Sequence, residues 1–295
     1  MTTATDLEFR PEESRQLPAL LSLTRADLEL SLSERVNEVL RCGDAMAVLQ
    51  EYGIDLADSA TWDLHRWASR GISFLSILDP DYPRLLTEVK EAPAILYYRG
   101  TLSPEEKGVS IVGSRSADDS TLLACYELSQ ALVRQGIPVI SGLARGVDTA
   151  AHEGALDAGG RTVAVVGTGL DQTYPPENSL LQKRVEAEGG LVLSQFEPQS
   201  TVRKFNFPMR NAVMSGLGVA TIVMAATENS GTKHQAHAAV KHGRKVIVTN
   251  RVRNTVAWAN RLVEQGKAQE ARSLDDAVML AIEARKSRLE VPTLF

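Results

Sequence analysis

From Gly108 onward the chain alternates short runs of β-branched and apolar residues with stretches of helical periodicity, a pattern that few folds accommodate. The predicted strands are VSIVG, IPVI, TVAVVG, GLVLS, VATIVMA and KVIVTN, starting at residues 109, 137, 162, 190, 219 and 245. Helical stretches lie between them at about Ser120–Gln135, Asp148–Ala158, Glu177–Glu188, Phe207–Leu217 and Thr232–Lys241. Two more follow, at about Thr255–Gln265 and Leu274–Arg285. This order predicts an α/β fold: an extended Rossmann-like, doubly wound, mostly parallel sheet with crossover helices.

Upstream the pattern is different. LPALLSLTRADLE, SERVNEVLRCG, DAMAVLQEYG and SATWDLHRWASRG space apolar residues by three and four, with Gly, Ser and Asp at their ends. They predict a small helical domain over residues 1–70. A connecting segment over 71–107 holds the apolar runs ISFLSIL and APAILYYRG, read as short strands that pack on the main domain. The Rossmann-like domain then occupies 108–285 and a tail 286–295. A chain of 295 residues suits one large domain with a smaller companion.

Composition narrows the class further. An apolar fraction of 43% and a charged fraction of 23% are ordinary for a globular protein. No window approaches the roughly 20 apolar residues that span a bilayer. The opening MTTATDLEFRPEESRQ is acidic and polar where a secretory signal would be basic and then apolar, so the expectation is a cytoplasmic protein without membrane attachment. Cys42 and Cys125 are the two cysteines, with no CxxC or histidine spacing around them, so reduced, partly buried thiols and no metal site are expected. The net charge of −5 is unevenly spread. Acids dominate the first sixty residues, whereas Arg203, Lys204, Arg210, Lys233, Lys241, Arg244, Lys245, Arg251 and Arg253 face a single acid, Glu228, between Thr201 and Thr255. That stretch predicts a local basic surface and a confined polyanion site.

In open parallel sheets ligands sit beyond the carboxyl ends of the strands, which directs attention to the residues after each run. The first strand ends in GSRS: Gly113 permits a sharp turn, and Ser114, Arg115 and Ser116 bring hydroxyls, amides and a guanidinium to a helix start, the parts of an anion site. SGLARGVDTAAH follows the second: Ser141 and Gly142 form the exit turn, Arg145 adds a cation, Gly146 takes an unusual backbone angle, and Asp148 is placed to cap the helix that carries His152. VVGTGLDQTYPPEN follows the third. Gly167 and Gly169 allow close backbone approach, and Asn178 is placed to cap the next helix. The third glycine of a dinucleotide fingerprint is replaced by Gln172 and no helix opens directly, which argues against an NAD site. In FNFPMRNAVMSGLG, Pro208 suits a helix start and puts Arg210 and Asn211 in the first turn, while Phe205 and Phe207 are candidates for base stacking or for core.

Taken together, VGSRS, SGLARGVDTAAHEGAL, GGRTVAVVGTGLDQTYPPEN, FPMRNAVMSGL, the pair Ser230 and Gly231, and HGRKVIV resemble the DprA/Smf family in order and spacing, from about Ile72 to Gln269. The resemblance implies a non-catalytic protein that binds single-stranded DNA without a cofactor, often as a homodimer, and assists a RecA-type recombinase in DNA uptake or recombination. By matching motif it implies a DNA pocket containing Gly113, Ser114, Arg115, Ser141, Gly142, Arg145, Gly167, Gly169, Arg210, Asn211 and Lys233. The chain departs from the family pattern at Gln195 and Ala225, where an acid is usual, and at Thr249 and Asn250, where Pro-Gly is usual. SGTKHQAHAAV also stands in place of the usual Ser-Leu-Ile-Thr run, and nothing after Arg285 is long enough for the winged helix of many members. An alternative is a nucleotide sensor, or a phosphoribohydrolase that frees a base from a nucleoside monophosphate. The P-G-G-x-G-T-x-x-E run of those enzymes is absent from this sequence.

Overall fold

The computed structural model describes residues 13–289. Four helices open the chain, α1 (Glu13–Arg25), α2 (Leu32–Cys42), α3 (Ala45–Glu51) and α4 (Asp58–Ala68). Then come β1 (Ser73–Ser76), α5 (Arg84–Thr87), β2 (Ile95–Gly100), β3 (Gly108–Val112), α6 (Asp119–Arg134), β4 (Val139–Ser141), α7 (Val147–Asp157) and β5 (Thr162–Val165). After a short 3-10 turn at Pro176–Asn178 the order continues with α8 (Ser179–Ala187), β6 (Leu191–Ser194), α9 (Asn206–Leu217), β7 (Gly218–Val223) and α10 (Gly231–Lys241). The last elements are β8 (Lys245–Thr249), α11 (Asn250–Thr255), α12 (Ala257–Glu264), β9 (Gln269–Ala271) and α13 (Leu274–Leu289).

The strands form one sheet in the order β1-β2-β6-β5-β4-β3-β7-β8-β9. Pairings from β6 to β9 are parallel, and β1 and β2 add an antiparallel edge. All six predicted strands are present and the α/β class stands. β3, β5, β6 and β7 are buried at every residue because helices cover both faces, which is why they read as apolar runs without alternation. From β3 the chain steps outward through β4, β5 and β6, then returns to the other side of β3 with β7. The switch point between β3 and β7 opens a crevice at the strands' carboxyl ends.

Several local expectations change. Asn250 belongs to α11, not to a strand: the Thr249 hydroxyl accepts the Val252 N–H as a helix cap, so Thr249-Asn250 ends β8 by starting a helix. The helix expected over Thr255–Gln265 is α12, and the unexpected α11 precedes it, parted from it at the extended residue Val256. β9, QEA, has no alternation to announce it and exists by pairing with β8. α13 runs four residues beyond the expected end at Arg285, to Leu289. The expected N-terminal domain includes residues 1–12, and the tail 290–295, which lie outside the described residues. Cys125 is buried in α6, but Cys42, at the end of α2, is exposed.

The first helices pack against the sheet through one apolar cluster that runs from Leu20 and Trp67 to Tyr97 and Met214. Trp67 is fully buried, edge-on to Tyr97 at 5.4 Å between ring centroids, a contact that adds about 1 kcal/mol to its burial. Arg35 holds the α1–α2 corner. Its buried guanidinium donates to the carbonyls of Leu23, Thr24, Ala26, Leu28 and Leu30. Polar clasps fasten this helical unit to the segment before α9: Arg25 bridges Asp63 and Glu197, and the Trp67 indole donates to Gln199 at 2.9 Å. The N-terminal helices therefore brace the loop that leads into the site.

Candidate functional site

A cleft of about 380 Å³ lies at the switch point. The β3 exit loop supplies Gly113, Ser114, Arg115 and Ser116; α7 and its loop supply Asp148 and Ala144. α9 supplies Phe207, Arg210, Asn211 and Met214, and the start of α10 supplies Ser230, Gly231, Thr232 and Gln235. A smaller hollow of about 130 Å³ adjoins it, sharing Arg115, Phe207 and Arg210 and adding Gly142, Arg145, Gly167 and Tyr174.

Glycines bring these loops together. A Cβ on Gly113 would meet the Val147 side chain at 2.5 Å, so its absence lets the β3 exit seat against α7. Gly146 has φ +73°, and a Cβ there would meet the Ser114 carbonyl oxygen at 2.6 Å. Gly142 leaves room for the Arg210 guanidinium, whose Nη1 lies 1.6 Å from where a Cβ would stand.

Two side chains hold the β4–α7 loop, and neither acts as expected. Asp148 does not cap its own helix; its Oδ2 accepts the N–H groups of Gly142 at 3.2 Å and Ala144 at 3.3 Å, upstream of α7. Asn178 makes no cap bond either, and donates instead to the Leu143 carbonyl and the Thr149 hydroxyl, both at 2.9 Å. Leu143, which takes φ +57°, is held in that strained conformation by this network.

The charges are graded by depth. Arg210 is 5% exposed and finds the Met214 sulfur at 3.3 Å, while its Nε has no partner among the described residues. Burial lowers its pKa, and the nearby Asp148 charge opposes that shift. Burial raises the Asp148 pKa, with Arg210 and the loop amides pulling it back. Arg115, by contrast, is exposed, lies 5.2 Å above the Phe207 ring, and has no ion pair among the described residues. Arg145 sits at the rim of the smaller hollow, paired with Glu177; both are exposed, so the pair is weak and exchangeable. α10 starts without a side-chain cap, leaving its first N–H groups oriented for an anion.

Of the sequence-predicted residues, Gly113, Ser114, Arg115, Arg210 and Asn211 line the cleft, and Gly142, Arg145 and Gly167 line the hollow beside it. Three line neither. The Ser141 hydroxyl is buried and ties β4 to β3 through the Ile111 carbonyl at 2.8 Å. Gly169 packs against the backbone of Glu197 and Pro198. Lys233 lies on α10 outside both linings. The basic run from Arg203 to Arg253 is not one surface: Lys241, Arg244, Arg251 and Arg253 pair with Glu91, Glu88, Asp118 and Glu270. Asp148, Thr232 and Gln235 are the polar lining residues that local sequence reading passed over or cast otherwise. No His/Cys/Asp/Glu group placed to hold a metal occurs among the described residues, nor any helix long and apolar enough to cross a membrane.

His152 is fully buried and structural. The Thr162 hydroxyl donates to the Val139 carbonyl at 2.9 Å, so it accepts from His152 Nδ1 at 2.7 Å and leaves Nε2 as the bare, unpartnered nitrogen. A proton there would have no acceptor in an apolar setting; burial, helped by the Arg210 charge, holds the pKa near 3 against an ordinary 6.5. In that interval the unfolded chain binds a proton that the folded one refuses. Stability should therefore be full above pH 6.5 and fall by up to about 1.4 kcal/mol per pH unit as pH drops toward 3, opposed in the acid part by Asp148. Urea unfolding at stepped pH checks this, with His152→Leu expected to flatten the slope.

Fold and site together define an extended Rossmann-like protein with an arginine-bearing cleft at its switch point. Residues 73–281 match the family of DNA recombination-mediator protein A, and the chain belongs to that family. It is 44% identical over 179 residues to Protein Smf of Synechocystis sp., covering 59% of this chain and 45% of that one. It is 41% identical over 173 residues to the DNA processing protein DprA of Streptococcus pneumoniae, covering 58% and 61%. The matched stretch thus spans about half the length of these curated relatives. The fold is similar to the X-ray structure of S. pneumoniae DprA, with a TM-score of 0.65 and 32% identity over 91% of this chain and 93% of that one. It is also similar to H. pylori DprA, with a TM-score of 0.63 and 26% identity over 72% and 96%, in a structure concerned with that protein's single-stranded DNA binding mode.

Proposed function

We propose that the cleft between β3 and β7 grips single-stranded DNA without catalysis, and that the chain acts in DNA processing during uptake or recombination. One observation carries the reading: the β3 exit loop, the start of α9 and the uncapped start of α10 converge at one switch point, with Arg115 free at the rim. Amides and arginines at a sheet's rim suit successive phosphates, and Phe207 under Arg115 offers a stacking face. The Asp148 carboxylate lies at depth beside Arg210 and offsets its charge, so Arg115 at the rim is the stronger phosphate contact and Arg210 the weaker. Membership in the family and the DNA-binding mode studied in H. pylori DprA support this reading. Extended to the whole protein, it includes a homodimer, work in the cytoplasm and delivery of the strand to a RecA-type recombinase.

Fluorescence-anisotropy titration with matched single-stranded and duplex oligonucleotides tests the central claim. The unpaired strand is expected to bind at least tenfold tighter at equal salt, because duplex phosphates cannot bend into a crevice of this size. Equal affinity for the duplex would refute it.

A further inference from the structure

A second cavity, of about 430 Å³, lies where the N-terminal helices meet the sheet, and the phosphate grip leaves it unused. Its walls come from α1 and α2, residues 91–97, the β6–α9 loop and the start of α9. They are mostly apolar, and Leu32 and Phe205 remain 48% and 57% exposed on them. A few polar groups stand among them without partners. Tyr97 lines the cavity and is 2% exposed, yet its hydroxyl has no hydrogen-bond partner among the described residues, where a buried tyrosine normally finds one. Gln195 lines it too, and its buried Oε1 is also unpartnered. An apolar hollow of this volume with a few polar groups is the usual form of a small-molecule site.

The lining holds two carboxylates, Glu91 and Glu197, and no Lys, Arg or His. Both are already paired, Glu91 with Lys241 and His242, and Glu197 with Arg25. An anion entering here would lose its water and meet no cation, which excludes phosphates and hence the strand itself. The cavity is nevertheless joined to the strand cleft through α9. Met209 lines the cavity, while its neighbour Arg210, with Phe207, lines the cleft, so the first turns of α9 are a wall common to both. We propose that the cavity is a regulatory site: a compact, mostly apolar molecule without negative charge seats there, hydrogen-bonded by the Tyr97 hydroxyl and the Gln195 amide. By packing on Met209 and Phe205 it fixes the start of α9 and tightens the grip on the strand. The coupling rests on the cleft being the seat of the strand; the binding does not.

Three probes on one scaffold test the site: indole, tryptamine and indole-3-acetate, titrated into the whole chain by ligand-observed NMR. Indole and tryptamine are expected to bind, and indole-3-acetate at least about tenfold more weakly. Tyr97→Phe should weaken indole about fivefold and unfold at the same urea concentration, because the lost hydroxyl bonds no described residue. Ser33→Trp, at a part-exposed position of α2 on the lining, should fill the cavity and abolish binding. Saturating indole should tighten oligo-dT binding about threefold in the wild type and leave Ser33→Trp unchanged, and oligo-dT should tighten indole by the same factor. No binding of indole or tryptamine, equal binding of the acid, or full affinity in both variants would overturn the site. Indole binding with unchanged oligo-dT affinity would overturn its regulatory role. A chain that bound indole as expected and no strand at all would instead remove the strand-binding reading and leave the cavity a ligand site.

Discussion

Replacing Arg115 and Arg210 together by alanine is expected to weaken binding to oligo-dT by about a hundredfold, two charge-assisted contacts at roughly 1.5 kcal/mol or more each. The slope of log affinity against log salt should flatten by about 1.4, since each phosphate contact on a single strand contributes about 0.7. The two arginines act from different depths. Arg115 is exposed and has no ion pair among the described residues, so Arg115→Ala should keep the fold and show about half of the double variant's slope change. Arg210 is buried near Asp148, and its removal leaves that carboxylate without its neutralising neighbour. The double variant should therefore also unfold at lower urea, and a stability measurement separates the two losses. An unchanged salt slope in a folded double variant would remove the cleft as the phosphate site.

Gly142→Ala is expected to lower affinity by about tenfold with both arginines in place, through loss of one charge-assisted contact. The added Cβ would stand 1.6 Å from Arg210 Nη1 and 2.2 Å from its Cζ, a separation no side chain tolerates. The obstacle is the tip of a long side chain and not backbone, so the guanidinium yields before the loop does. Arg210 then leaves its seat against the β4 exit while the fold persists, with unfolding expected within about 1 kcal/mol of the wild type. Isothermal titration with oligo-dT and urea unfolding of the same variant check the pair of outcomes. Full affinity would show that Arg210's position against Gly142 has no part in the grip.

The candidate site is legible in the sequence where chemistry follows a strand directly. Gly113, Ser114, Arg115, Arg210 and Asn211 all line the cleft because the sheet delivers each strand end, and the helix that follows, to the same rim. Charge counting fails where partners come from far along the chain. Arg244 reads as part of a basic stretch, yet it is buried and bonded to Glu88 and the Leu85 carbonyl, more than 150 residues away. Asp148 and Asn178 have the composition of helix caps, but the loop from Gly142 to Ala144 has unmet amides and carbonyls within their reach and takes them. Gln235 has no local signature at all. In KHQAH it looks like one more polar position on a solvated helix, and only the docking of α10 against α9 and β7 turns it inward.

Local patterning decides the strands and helices of the main sheet, since a parallel strand covered on both faces must be apolar at every residue and its crossover helix must carry an apolar stripe. Marginal elements escape it: β9 is three residues held in place by β8, and the break at Val256 leaves no mark in the pattern. Which arginines remain free for a ligand, and which polar side chains end up buried without partners, is settled by packing. Ion pairs and burial are properties of neighbours in space, and in this fold those neighbours are drawn from segments more than a hundred residues apart.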